Sequence, residues 1–413
     1  MPSVISRATD RHTATRRASS RWQSVRQQRL AVAAVGSLIA AAFMGSVVVA
    51  PLYAIYQRKF GFSEITLTLI YAVYVVGNVI ALLLFGQLSD QLGRKRVSLP
   101  TVLLAVISAA VFLAASGTGW LYAGRLLTGL TVGVLSGTGT AWLVELYGAN
   151  RRDHATLAAA VSNLVGISIG PVLGGLLAQY AAYPLKLPFA AYIAILAAVA
   201  IAVWRTPEPR QRPLRALRDV QLHARIGVPR EIRARFAVPA ITGFVIFALG
   251  GLYFSLIPGI LQTDLHQANV AIGGAVVCEL AVVAAVVTLA GRRLPPEHAM
   301  TGALAVMVPA VALIVSAQAV ASMPLLLIAT ALAGIALGLG YRGSLQVVNR
   351  LAPDERRAEV ASSYFIACFV GNSVPVIGIG ILATVTNPLT ASEAFAVTLA
   401  VLAVAALAWH RRV

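Results

Sequence analysis

Twelve apolar stretches constrain this chain more than any other feature. They lie at about 30–53, 65–87, 97–116, 119–146, 155–180, 185–204, 237–261, 268–290, 299–317, 322–348, 358–384 and 390–409. Each holds about 20 residues, which as a helix crosses a hydrocarbon core about 30 Å thick. Of the 413 residues, 58% are hydrophobic and 12% are charged. A water-soluble domain carries about twice that charge fraction. The bilayer is therefore the expected solvent, and lipid allows an isolated apolar segment only one backbone solution, the helix. An all-α integral membrane protein with 12 transmembrane helices follows. The stretches 119–146 and 322–348 exceed the minimum length and are expected to tilt or overhang.

The formal net charge of +18 does not signal nucleic acid, because it is divided among short segments between apolar blocks. Charge placed there acts as a topology signal and as a contact for anionic lipid. With a cytoplasmic N-terminus, 28 of the 33 basic residues fall in cytoplasmic segments and only Arg58, Lys59 and Lys186 in external ones. Both termini are thus expected in the cytoplasm of a multi-pass plasma membrane protein. Only three basic residues are Lys. That bias, with abundant Ala, hints at a GC-rich bacterial genome and an inner-membrane location. Residues 1–29 carry seven Arg and one acid, Asp10. An organellar transit peptide looks similar, but a disordered basic cytoplasmic tail is the simpler reading, and no secretory cleavage site follows the first apolar block.

Cys278 and Cys368 both lie inside apolar blocks, where a thiol behaves as a small hydrophobe. The six histidines show no metal-ligand spacing. No cluster of nucleophile, base or metal ligands suggests an enzyme, and no metal or cofactor is expected.

The longest polar interruption runs from 205 to 236 and contains nine Arg and four Pro. It reads as a cytoplasmic linker between six-helix bundles at 30–204 and 237–409, with 410–413 as a cytoplasmic C-terminus. Leu214, Leu217, Val220 and Leu222 could lay a short helix on the anionic inner surface, or the segment is a plain solvated linker. The bundles repeat one another. At an offset of 205, Gly129 falls on Gly334, Gly133 on Gly338 and Arg151-Arg152 on Arg356-Arg357. At 204, Pro171 and Gly174 fall on Pro375 and Gly378. Parallel six-span repeats build many secondary transporters, with the substrate site between the halves.

Between the second and third blocks the chain reads Gly86-Gln87-Leu88-Ser89-Asp90-Gln91-Leu92-Gly93-Arg94-Lys95-Arg96. This resembles the signature loop of the major facilitator superfamily. Gly93 permits a tight turn, and Asp90 offers a partner to a cation or a helix N-terminus. Glu145, followed by Arg151 and Arg152, is also similar to the family pattern and implies an inner gate of ion pairs. Gly166, Gly170, Pro171, Gly174 and Gly175 match the family's antiporter motif, in which glycines let helices touch and proline bends the span. Arg125, ahead of Thr128-Gly129, is similar to the fourth-span motif that the family ties to proton coupling in drug efflux. It lies about 9 Å inside the external end of its span, so outward snorkelling is the competing reading.

The halves also differ. The loop after the eighth block keeps Gly291-Arg292-Arg293 but no Asp, and Arg350 stands where Glu145 would repeat. Glu279 falls about 17 Å from either face, and Arg342 in the inner half of the tenth block. An intramembrane carboxylate is a functional candidate by default. Glu279 is read as the proton site, with Arg342 modulating it or binding an anionic substrate; a structural Glu–Arg pair is the alternative. The acid that many drug/proton antiporters of this superfamily carry in the first span is absent here. Asn78, Asn163, Tyr253, Tyr364 and Asn372 complete a mildly polar candidate cavity.

The resemblance implies a monomeric secondary transporter, driven by the proton gradient, that exports a small organic solute by antiport. A symporter or facilitator importing a metabolite, or a non-transporting receptor on the same fold, are the alternatives.

Overall fold

The protein is described by a computed structural model covering residues 5–85, 88–148, 151–208, 226–353 and 356–411, with side chains from residue 26 onward except at 152, 153, 357 and 358. Its secondary structure is helical throughout the described residues. Twelve helices are long and apolar enough to span a membrane. Numbered in chain order, spans 1 to 6 are Arg26–Phe60, Glu64–Phe85, Arg94–Leu113, Thr118–Tyr147, His154–Tyr180 and Leu187–Arg205. Spans 7 to 12 are Arg230–Ser255, Val270–Arg293, Pro296–Ala319, Met323–Leu351, Glu359–Val385 and Pro388–His410. An even number of spans puts the described chain ends on one face, here the terminal face; the opposite one is the far face.

Three expectations about boundaries change. The helix that carries span 1 begins at Ile5, so much of the tail expected to be disordered continues the first helix. Span 3 begins at Arg94 rather than 97, which moves Arg94, Lys95 and Arg96 from a loop into a first helical turn. Span 1 runs to Phe60, with a break at Ala50–Leu52 around Pro51. Span 7 is followed by a short helix at Ile257–Thr263 that starts beside Pro258. Proline lacks an N–H and suits the first turn of a new helix, so each half breaks its first span near the far face.

Glycine contacts show the repeat as packing. Gly129 lies against Tyr74 and Asn78 of span 2, and Gly334 against Leu280 and Val283 of span 8. Gly166 lies against Ala40 of span 1, and Gly371 against Phe244 of span 7. A side chain at any of these glycines would collide with the facing helix, which fixes the depth of each pair. The halves meet along two seams, span 5 on span 8 and span 2 on span 11. Gly175 faces Val270 and Gly274 in one seam, and Gly380 faces Thr68 in the other.

One apolar cluster crosses between the halves near the far face. Leu52, Tyr53, Tyr56, Leu67 and Ile70 of the first half join Leu252, Tyr253, Leu256, Ile257 and Leu261 of the second. Toward the terminal face the buried clusters belong to one half each. The far face is thus sealed by shared apolar packing.

Candidate functional site

The terminal end of the first bundle carries the signature segment. Gly93 has φ 104°, in the left-handed region that favours glycine, and its turn delivers Arg94 to the start of span 3. Arg94 is 7% exposed. Its Nη2 lies 2.6 Å from Glu145 Oε1, its Nη1 lies 2.6 Å from Asp90 Oδ1, and Nη1 also donates to Ser89 Oγ at 2.7 Å. Glu145 on span 4 thereby holds the turn between spans 2 and 3. Arg151 lies exposed at the start of the helix carrying span 5. Gly86 and the side chain of Arg152 lie outside the described residues, as does linker segment 209–225.

Glu208 completes this end, and no local pattern announces it. Its carboxylate accepts from the backbone N–H of Arg94 at 3.0 Å and of Lys95 at 2.8 Å. A helix start leaves its first N–H groups unpaired and carries partial positive charge, so an anion there satisfies both. Lys95 Nζ meanwhile donates to the Trp204 carbonyl at 2.8 Å. The start of the linker is thus bonded to span 3.

Arg125 does not snorkel outward. It is 1% exposed and points into the first bundle, where Nη1 donates to the Ser46 carbonyl at 2.7 Å. Its guanidinium carbon lies 4.5 Å from the ring centre of Tyr74, 5.3 Å from Tyr71 and 6.0 Å from Tyr53. Ring faces carry partial negative charge and attract a cation, most strongly away from water. No carboxylate pairs with it among the described residues, and its Nε has no partner. The position repeated in the second half is Thr330, which accepts from the Tyr253 hydroxyl at 3.0 Å. The position of the buried cation in the first half is therefore taken by a neutral hydroxyl in the second.

The cavity candidates separate into two groups. Asn78 donates to Tyr74 Oη at 3.3 Å, and Asn372 accepts from Tyr71 at 3.1 Å, so both belong to the surroundings of Arg125. Tyr253 and Tyr364 are fully buried and spend their hydroxyls on Thr330 and Ser344, the latter at 2.7 Å. They pack helices within the second half. Asn163 on span 5 is half-buried, and its side-chain oxygen has no partner.

A row of aromatic rings lies on spans 7, 10 and 11. Phe247 lies 5.9 Å from Tyr341 and 6.1 Å from Phe369 between ring centres. Phe365 continues the row 6.4 Å from Phe369. All four are only partly buried, and Phe369 also packs against the core of the first bundle. The row comes from three spans, so no local sequence pattern announces it.

Glu279 on span 8 is partly buried and has no hydrogen bond or ion pair among the described residues. The alternative reading, a structural pair with Arg342, is not formed. Gly334 packs at the level of Leu280 and Gly338 at Ala284 and Thr288. Arg342, eight residues beyond Gly334, therefore sits about 12 Å nearer the terminal face. There its Nη2 donates to the Leu294 carbonyl at 2.8 Å.

The glycine–proline segment of span 5 serves two neighbours. Gly166, Gly170 and Gly174 form a stripe that admits the backbone of span 1 at Ala40, Met44 and Val48. The Pro171 carbonyl and Gly175 face Gly274 of span 8, across a seam between the halves.

A family model for the Major Facilitator Superfamily matches residues 35–376. Multidrug resistance protein 2 of Bacillus subtilis is 25% identical over 181 residues, covering 43% of this chain and 44% of that protein. Multidrug resistance protein MdtL of Escherichia coli is 34% identical over 147 residues, 34% of each chain. The tetracycline resistance protein, class C, of Escherichia coli is 35% identical over 121 residues, 29% of each. The chain thus spans less than half the length of these relatives. A bacterial homologue of the human lysosomal transporter Spinster, crystallised in an inward-facing and unoccupied conformation, superposes with TM-score 0.68 at 15% identity, covering 93% of this chain and 94% of that one. The human organic anion transporter MFSD10 gives 0.65 at 17% identity, covering 92% and 99%. Sequence and fold agree: this chain belongs to the Major Facilitator Superfamily.

Proposed function

We propose that this transporter exports a small, aromatic or amphipathic organic compound in exchange for protons, working as a monomer in a bacterial inner membrane with its termini in the cytoplasm. The observation that carries the proton half is Glu279, a partly buried carboxylate in mid-span with no ion pair among the described residues. A carboxylate so placed has two states of similar cost. Protonated, it is neutral and compatible with an apolar wall; ionised, it requires water or a charged neighbour. A change in access between the two sides of the membrane is enough to move its proton.

The partly buried row of Phe247, Tyr341, Phe365 and Phe369 supports an aromatic or amphipathic cargo, since ring faces stack without demanding fixed hydrogen-bond geometry. The names of the bacterial relatives, which concern multidrug and tetracycline resistance, point the same way. In this reading the shared far-face cluster is the closed side of an inward-open state, and alternating access requires it to part. Arg125, buried among tyrosines beside the seam, is the fixed charge whose surroundings that parting would change.

Proteoliposomes holding the full chain, an imposed pH gradient and a panel of fluorescent aromatic dyes test the reading. The wild type should move at least one dye only while the gradient stands, and Glu279→Gln should abolish that coupling. Unchanged gradient-driven flux in Glu279→Gln overturns the proton assignment. Flux that ignores the gradient in the wild type overturns antiport.

A further inference from the structure

Four arginines converge at the terminal end of the second bundle. Arg292 and Arg293 form the turn that ends span 8, while Arg342 and Arg350 come from the last three turns of span 10. With Gln346 and Asn349 they line a cavity of about 780 Å³. Leu294, Pro295 and Pro296 form its rigid rim, and Arg342 is fixed there by its bond to the Leu294 carbonyl. Arg342 Nε is buried and has no partner. Among the described residues, Glu297 reaches Arg350 at 3.4 Å in an exposed pair.

The first bundle resolves the same place differently. There one arginine, Arg94, is met by Asp90 and Glu145, while Glu208 occupies the helix start. At an offset of 205 the two acidic positions become Pro295 and Arg350. The paired acids of the first bundle are not repeated, and among the described residues the cavity sets four arginines against one acid, Glu297. Four guanidinium groups and two side-chain amides form a donor set for an anion with several oxygens. Arginine's fork matches phosphate in particular.

A second observation says where that phosphate comes from. Val282, Val286 and Leu289 lie three and four residues apart on span 8 and are all exposed. Leu294, on the rim of the cavity, is also 47% exposed. An apolar strip ending at a basic cavity, on the face where cationic residues concentrate, has the two-part character of a phospholipid: acyl chain along the helix, head group among the arginines.

We propose that this cavity is a binding site for an anionic phospholipid, which supplies to the second bundle the negative charge that Asp90 and Glu145 supply to the first. The proposal does not depend on what the transporter carries or in which direction.

The test uses the purified full chain in neutral detergent, with native mass spectrometry and thermal unfolding as readouts. Phosphatidylglycerol should bind and raise the melting temperature, while phosphatidylcholine and inorganic phosphate should not. Arg292→Gln with Arg293→Gln, two exposed positions on the turn, should weaken phosphatidylglycerol binding roughly twenty-five-fold, about fivefold for each charge near the surface. Arg342→Gln should also weaken it, and the turn variant keeps the test readable if Arg342→Gln fails to fold. A control pair on the same face, Arg230→Gln with Arg233→Gln, should keep wild-type affinity. Equal loss in the control pair would show attraction by the whole basic face and overturn the site. A shift by inorganic phosphate equal to that by lipid would overturn the lipid assignment.

Discussion

The Tyr71 hydroxyl donates a 3.1 Å hydrogen bond to Asn372 Oδ1 across the seam between the halves. The same tyrosine ring faces the Arg125 guanidinium. One residue thus touches both the buried cation and the moving partner. Removing the hydroxyl leaves the ring over Arg125 but unties the seam. A net hydrogen bond of about 1 kcal/mol corresponds to about a fivefold change in a two-state equilibrium. Tyr71→Phe should shift the population toward far-face opening by about that factor. Spin labels at Ser63 and Ala268, in the far-face turns of the two halves, would register the change as a larger fraction of long distances.

Arg125 should resist conservative replacement. Lysine keeps the charge but lacks the planar fork that reaches the Ser46 carbonyl while lying against Tyr74. Arg125→Lys should insert and purify normally yet lose most transport, with flux down by tenfold or more for a loss of about 1.4 kcal/mol in the transport barrier. A dye-efflux assay beside fluorescence-detected size exclusion separates this outcome from simple misfolding, which would remove the monodisperse peak as well.

Glu208 offers a test of the cap on span 3. Glu208→Ala exposes two N–H groups at a helix start and removes a favourable charge from it. Caps of this kind contribute about 1 kcal/mol. The expected outcome is a melting temperature lower by a few degrees. The Gln variant should recover part of the loss, since an amide oxygen still accepts one bond. An unchanged melting temperature in Glu208→Ala would show that the linker contact contributes nothing.

These residues also mark how far the sequence could be read. Existence and number of spans were legible because hydropathy over twenty residues is a property of the segment alone. The repeat was legible because glycines that admit a neighbouring helix recur at matched depth. Glu208 was not, since a lone acid in a stretch of Pro and Arg becomes a cap only when the chain folds back onto span 3. The aromatic row was not, because its members come from three spans. Whether Glu279 and Arg342 pair was not legible either, for a geometric reason. Residues in the same span pair can still lie two turns apart, and only the contact of Gly334 with Leu280 fixes the stagger.

Sequence repetition also overstates equivalence, and Gly174 and Gly378 give a direct measure. They match at an offset of 204, each three residues after a proline in its span. A Cβ at Gly174 would run into the Val48 carbonyl and crowd Leu52 on span 1. A Cβ at Gly378 meets nothing within 4 Å. Gly174→Ala therefore forces spans 1 and 5 apart and should cost about 1–3 kcal/mol, the range for overpacking a tight contact. Gly378→Ala adds no clash and removes backbone freedom from the unfolded chain. It should be neutral or stabilising by up to about 1 kcal/mol. The two variants, compared by thermal unfolding in one detergent, should move in opposite directions or differ by at least several degrees. Equal destabilisation would mean that span 11 has a partner at Gly378 in another state of the transport cycle, and that the symmetry of the motif is completed only when the halves rock.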